Sequence, residues 1–255
     1  LRNRGQRDRG LLTIGGVDRF NLNLVRLLSG RGHVFTIVVT LPGAHEWRSL
    51  FEEITPDIVC LSQTIPPDHQ PSFICDLIHT RGIEAVIVAN SHIGYLLLPY
   101  LRYHCPNVAL LDIVHAVEEH WHDGGYPRIS LEHAEWLDQT IAGYAGLRDW
   151  MIERGGDPAR LAVCTANIDA GEWDAARYDR AALRQSLGVA PDVTLILFIG
   201  RLAPEKRPRL AVEVLHELAR RGLPFKGLIV GDGPERQSLE RLLRDSYASE
   251  VRLLG

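Results

Sequence analysis

The 255-residue sequence is poor in several things at once. It has one methionine and four cysteines, and lysine occurs only at positions 206 and 226 among 28 lysines and arginines. No run approaches the roughly 20 apolar residues that a membrane-spanning helix needs. Val193–Ile199, one of the longest, has strand length. Basic excess is also missing: the net charge of −4 argues against a dedicated nucleic-acid binder. Leu1–Gly10 carries four arginines but no apolar core, so it does not read as a secretory signal. Internal repeats and low-complexity tracts are lacking too. What remains, 45% hydrophobic and 24% charged residues, is an ordinary globular mix and excludes disordered, collagen-like and coiled-coil chains.

The cysteines, Cys60, Cys75, Cys105 and Cys164, form no C-x-x-C pair. Each lies in or beside an apolar run, which reads as a small buried hydrophobe in a reducing compartment. A cytoplasmic location is expected. The shortage of lysine reads mainly as genomic base composition, but a lysine inside a motif then stands out.

Short apolar runs alternate with amphipathic stretches. His33–Val39, Asp57–Leu61, Glu84–Ala89, Val108–Val114 and Leu161–Cys164 read as strands. Between them Val17–Leu28 sets Val17, Phe20, Leu24, Leu27 and Leu28 on one helical face, and His92–Tyr103 and Leu147–Arg154 are further helices. Thr165–Arg184 reads as a linker leading into a helix. Val193–Ile199 then reads as a buried parallel strand. Glu205–Arg221 reads as a helix with a stripe of Leu210, Ala211, Val214, Leu215 and Leu218, Pro208 in its first turn and Gly222 as its stop. A strand at Lys226–Val230, a helix from Pro234 and a strand at Val251–Leu254 follow.

This alternation predicts an α/β protein with mostly parallel sheets. It divides into a domain over 10–170, a linker and connecting helix over 171–190, and a domain over 191–255. An independent doubly wound sheet usually has five or six strands and starts on a strand. The second domain has about three, and Leu1–Arg9 is no strand. The expectation is a piece of a longer chain, with the second domain incomplete.

Four segments could carry chemistry. In Ile14-Gly15-Gly16-Val17-Asp18-Arg19, two glycines before a helix let backbone approach an anion at a helix N-terminus. Gly-Gly is also common turn punctuation. Gly200–Pro208 (GRLAPEKRP) follows a strand and opens a helix, where ligands of open α/β sheets bind. Arg201 can grip phosphate bidentately and Lys206 can act as a point charge, with Gly200 allowing close packing. A solvated helix start is the plain alternative, yet helix N-termini prefer acids, so the basic pair favours an anion. Gly231-Asp232-Gly233-Pro234-Glu235 repeats the strand-to-helix turn, with Asp232 read first as a helix cap. Last, His115, His120 and His122 with Glu118, Glu119 and Asp123 raise a metal site, but the spacing fits no standard zinc pattern. His115 itself follows a strand end and is expected to face a ligand. There is no G-x-S-x-G, Walker A or G-x-G-x-x-G sequence.

Together GRLAPEKRP, IVGDGPE and VRLLG resemble the donor-binding domain of the retaining GT-B glycosyltransferases of family 4. GGVDRFNLNLVRLLSGRGHVFTIVV is similar to that family's N-terminal opening, and the strand ending in His115 to its sugar-facing histidine segment. The resemblance spans roughly Gly10 to Gly255. It implies two Rossmann-like domains facing a cleft, and a nucleotide-sugar donor as substrate with no cofactor and no required metal. The implied reaction is metal-independent sugar transfer with retention. By the same resemblance Arg201 and Lys206 contact the donor diphosphate, Gly15 and Gly16 lie near the phosphates, and His115 is the catalytic residue beside the donor sugar.

The implied acceptor is a saccharide, a lipid-linked molecule or a small molecule. Contact with the inner membrane surface is compatible with this, and nucleic acid is not a partner. The family's E-x7-E segment would lie beyond Gly255, so this stretch is expected to be a poor catalyst alone. Two other readings stay open: a GT-B relative such as a nucleotide-sugar epimerase, and a non-catalytic sugar-binding protein.

Overall fold

A computed structural model of the protein describes Leu12, residues 15–43 and 45–165, Gly171, and residues 173–244 and 250–255. The linker expected from Thr165 onward therefore lies partly outside the described residues, as do Leu1–Gly10 and Ile14. The chain divides into two units, Leu1–Ile168 and Asp169–Gly255.

In the first unit, β1 (Ile37–Val39) pairs in parallel with β2 (Ile58–Cys60). A four-stranded parallel sheet runs in the order β3 (Ala85–Ala89), β4 (Ala109–Val114), β5 (Gln139–Ala142), β6 (Leu161–Val163). β5 escapes the sequence reading because Gln-Thr-Ile-Ala is too short and mixed to stand out as an apolar run. It is nevertheless central, and its Thr140 and Ala142 are buried. The helices are α1 (Gly16–Ser29), α2 (Arg48–Glu52), α3 (Leu61–Thr64), α4 (Gln70–Arg81), α5 (His92–His104), α6 (Tyr126–Glu132) and α7 (Ala145–Ile152). The sequence reading had also passed over α2, α3, α4 and α6.

α5 starts on Ser91, whose hydroxyl accepts from Gly94 N–H at 3.0 Å. A Cβ on Gly94 would lie 2.9 Å from Val88 Cγ1, so glycine lets this helix sit low on β3. The core beneath includes Tyr95 and Leu98 of α5, Leu110 and Val114 of β4, and Leu147 and Met151 of α7. Side chains of this kind contribute about 1.5–3 kcal/mol each on burial. α1 packs differently from expectation. It buries Asp18 and Leu22, while Leu27 is exposed, so the inward face is rotated from the predicted stripe.

The second unit opens with α8 (Arg180–Ser186), capped by Asp179, whose carboxylate accepts from the N–H groups of Ala181 and Ala182. Its parallel sheet has the order β7 (Thr194–Ile199), β8 (Phe225–Val230), β9 (Val251–Leu254), with α9 (Pro208–Arg220) and α10 (Arg236–Arg244) between strands. Ile196 and Phe198 of β7 join the core formed with Val212 and Leu215 of α9 and Leu239 of α10. The expectation of a fully buried β7 is corrected: Leu197 and Ile199 are 50% and 70% exposed, because β7 alternates its side chains between two faces and it is Ile196 and Phe198 that pack against the core. The α9 stripe is corrected in part: Leu215 and Leu218 pack on the core as expected, but Val212 joins them while Leu210 and Val214 are exposed.

The helix predicted over Glu205–Arg221 is split. Pro204–Lys206 form a 3-10 turn, Arg207 is left-handed at φ 51°, and α9 starts at Pro208. Proline disfavours right-handed helical backbone at the residue before it, so a continuous helix cannot pass through Arg207. Among the cysteines Cys60, Cys75 and Cys105 are buried as expected, but Cys164 is exposed; all four are free. Among the described residues no helix is long and apolar enough to cross a membrane.

Candidate functional site

In parallel α/β sheets the carboxyl ends of strands carry the ligand-binding loops. In the first unit Gly15 is the extended residue before α1, at φ −173°, and Gly16 opens the helix. Neither needs glycine for its own fold. A Cβ on Gly15 would meet Asp18 Oδ2 at an ordinary 3.7 Å, and one on Gly16 would meet nothing within 4 Å.

His115 follows β4. Its ring packs edge-on against Phe20 of α1, with centroids 4.9 Å apart, so the structure brings α1 and the histidine together. Gly143 N–H, after β5, donates to Val114 C=O at 2.8 Å and closes the backbone beside the ring. His115 Nε2 is buried with no hydrogen-bond partner. Burial lowers the imidazole's pKa below its usual value, so the ring is neutral around pH 7.

The other histidines part from it. His120 and His122 are exposed, as are Glu118, Glu119 and Asp123. The His122 ring rests 5.6 Å from that of His92, at the start of α5. His122, Asp123, Gly124 and Gly125 all have positive φ. A Cβ on Gly124 would lie 2.7 Å from the Trp150 ring, so the loop is tightly built and its form leaves glycine there. Left-handed backbone at His122 and Asp123 is strain of a kind that gathers at functional loops.

The sequence reading passed over Asp112, three residues before His115. It is fully buried in β4, and Tyr95 O–H donates to its Oδ2 at 2.6 Å. Burial raises its pKa, outweighing the hydroxyls of Thr140, Tyr95 and Ser130 that favour the anion. An acid inside the apolar run Leu110–Val114 was the available signal.

In the second unit Arg201 and Lys206 stand on the turn between β7 and α9, and both are exposed. Leu202 between them is fully buried and anchors the turn. The neighbouring turn after β8 is stitched to it. Gly200 N–H donates to Val230 C=O at 3.0 Å, Leu202 N–H to Asp232 C=O at 2.8 Å, and Glu235 N–H to Leu202 C=O at 2.9 Å. A Cβ on Gly231 would lie 2.0 Å from Gly200 O, and one on Gly233 2.5 Å from Leu202 O. These two glycines are therefore required by the turn itself.

Gly200 is not so constrained, because a Cβ there would only touch Phe198 at 3.9 Å; the close packing expected of it belongs to Gly231 and Gly233. Asp232 is also corrected. Its Oδ1 accepts from Gly233 N–H at 2.7 Å, so it braces the turn rather than capping α10, which begins later at Arg236. Arg209, at the start of α9, pairs with Glu235 of the second turn at 3.4 Å. Of the two lysines, Lys226 is engaged by Glu250 at 2.6 Å.

Residues 179–251 match the family described as glycosyl transferases group 1. The match contains the whole stitched pair of turns. An alpha-D-kanosaminyltransferase of Streptomyces kanamyceticus is 42% identical over 128 residues, covering 46% of this chain and 33% of that protein. A D-inositol 3-phosphate glycosyltransferase of Nocardia farcinica is 36% identical over 107 residues, 41% of this chain and 23% of that protein. The chain thus spans a third or less of the length of these two relatives.

Among solved structures, Anabaena HepE in complex with UDP superposes with a TM-score of 0.74 at 17% identity, covering 96% of this chain and 66% of HepE. A glycosyltransferase from Rickettsia africae superposes with a TM-score of 0.68 at 18% identity, over 95% and 65% of the two chains. The fold is therefore the α/β, Rossmann-like fold of GT-B glycosyltransferase structures, with parallel sheets.

Proposed function

We propose that this chain is part of a retaining, metal-independent GT-B glycosyltransferase of family 4 that moves a sugar from a nucleotide-sugar donor to an acceptor hydroxyl. One observation carries the reading. The turn bearing Arg201 and Lys206 is fixed by backbone hydrogen bonds and two obligatory glycines, and both basic residues are exposed on it. A rigid turn that presents a guanidinium and an ammonium at a strand's carboxyl end suits a diphosphate. As the glycosidic bond breaks, negative charge grows on the leaving nucleoside diphosphate, and preorganised cations stabilise it most at that moment. They supply what a metal would otherwise supply.

In the first unit Gly15 and Gly16 leave room for phosphate or sugar to approach the start of α1. His115, neutral and directly after β4, is the residue we place beside the donor sugar. The structures of HepE hold UDP and, in another crystal, UDP-glucose, which makes UDP-glucose the first donor to try. The acceptor is a saccharide, a lipid-linked molecule or a small molecule. Four free cysteines suit a reducing compartment.

The test is release of nucleoside diphosphate from a panel of nucleotide sugars, in chelator, by the wild-type chain and by Arg201→Ala and Lys206→Ala. Slow release by the wild type, as befits a poor catalyst, and its loss in both variants is expected. Release that depends on an added divalent metal, or that survives both changes, contradicts the proposal.

A further inference from the structure

Asp112 of β4 lies three residues before His115, and with Tyr95 of α5 it forms a buried pair that the chemistry above does not use. We propose that this pair positions the loop that follows His115, and through it the imidazole. The hydrogen bond fixes a row of aromatic rings, Tyr95, Tyr126 and Trp121, on which residues 118–125 are built. The link from His115 to the donor sugar rests on the glycosyltransferase reading above.

The row begins in the core. Tyr95 and Asp112 are both 0% exposed, and the Tyr95 hydroxyl donates to Asp112 Oδ2 at 2.6 Å. The Tyr95 ring stacks on that of Tyr126, the first residue of α6, with centroids 6.1 Å apart and planes at 21°. Tyr126 and Trp121 then meet edge-on at 4.9 Å. Both pairs fall within the roughly 4.5–7 Å over which aromatic rings hold one another.

Trp121 ties the loop by its backbone. Its C=O accepts from Gly125 N–H at 2.7 Å and from Gly124 N–H at 3.3 Å, and its N–H donates to Glu118 C=O at 3.0 Å. Glu118 N–H donates to Gly124 C=O at 3.1 Å, which closes the loop on itself. The Trp121 ring also meets that of His122 edge-on at 4.8 Å. The left-handed backbone at His122 and Asp123 needs such an anchor to persist.

An apolar residue at position 112 would serve packing alone at less cost, because burying a carboxyl group is unfavourable. What the acid adds is direction. A hydroxyl–carboxyl bond fixes the Tyr95 ring in rotation as well as in place, and the rings packed on it inherit that setting. His115 is thereby held from both sides, by β4 before it and by the anchored loop after it. Such precision matters at a reacting centre, where a misplacement of about 1 Å can cost on the order of 100-fold in rate.

Proton–carbon NMR of the histidine rings reads this placement without a ligand, with the His115 and His122 signals assigned by His115→Gln and His122→Gln. Tyr95→Phe removes the hydroxyl and is expected to move both signals, while that of His216, in the second unit, stays. Asp112→Asn keeps an acceptor for the Tyr95 hydroxyl and is expected to leave both in place. In calorimetry UDP should bind the wild type and both variants alike, and the ratio of UDP-glucose to UDP affinity should fall at least threefold in Tyr95→Phe alone. Should Tyr95→Phe fail to fold, Trp121→Leu, at the partly buried end of the row, carries the same expectation for His115 and for the ratio. Signals unmoved by Tyr95→Phe, signals moved as far by Asp112→Asn, or an unchanged affinity ratio would overturn the proposal. A wild type that binds no UDP contradicts the donor reading instead, and the histidine signals then decide the positioning by themselves.

Discussion

At the carboxyl end of β4 the polar group is an imidazole pressed against Phe20, its Nε2 sealed from water. At the carboxyl end of β7 the polar groups are a guanidinium and an ammonium, both on exposed residues. The first arrangement disfavours charge, because desolvation penalises the protonated ring. The second sets two basic side chains on the outside of the fold, where their field reaches into solvent. The glycines divide in a complementary way. Gly15 and Gly16 have room for a Cβ and Gly231 and Gly233 have none. In one unit glycine is spare to the fold, which makes a ligand the better reason for it. In the other it builds the platform on which the cations stand.

The strongest way to break this comparison is to fill the glycines. Gly231→Ala forces a Cβ toward Gly200 O at a backbone with φ 141°. The expected cost is about 3 kcal/mol or more, read from urea unfolding. Gly16→Ala should do the opposite. It should be neutral or stabilise the fold by about 0.5–1 kcal/mol, since alanine is the better helix former, while weakening UDP-glucose. Equal destabilisation by both changes would erase the distinction between the two loops.

Charge can be tested next. Arg201→Ala and Lys206→Ala should each lower UDP affinity by about 1.5–3 kcal/mol, the usual value of a charge-assisted contact, with little change in melting temperature. A large loss of stability instead would make the pair structural.

Acid should act on the first unit through its imidazole. Unfolded, His115 has its ordinary pKa of 6.5, and folded, a lower one. Between those values the unfolded chain binds more protons, so stability is full above about 6.5 and falls as pH drops through the folded value. His45, lowered by burial and by Arg48, acts in the same direction. His115→Gln should therefore shrink, without abolishing, the stability lost between about pH 7.5 and 5.5. An unchanged loss would mean that the ring is not held neutral.

A similarly small effect on stability is expected at Arg207. Its left-handed backbone favours glycine, so Arg207→Gly should stabilise by about 1 kcal/mol in thermal unfolding.

Much of this was legible in the sequence, and the failures share a cause. The order of apolar runs and turns places Arg201, Lys206 and His115 at strand ends, because strand-to-helix punctuation is local. Gly231 and Gly233 announce a tight turn, but the atoms they avoid, the carbonyls of Gly200 and Leu202, come from a different turn. The inward faces of α1 and α9 were misread because apolar residues lie on more than one side of each helix. Packing chose Leu22 over Leu27 and Val212 over Val214. β5 went unseen because its identity as a strand comes from its neighbours β4 and β6.

Calorimetric titration of UDP in chelator tests the central claim most directly, with the wild-type chain set beside an Arg201→Ala, Lys206→Ala double variant of equal melting temperature. The account predicts saturable binding by the wild type without metal and its loss in the double variant. Equal affinity in the two proteins, or binding only after magnesium or manganese is added, would contradict it.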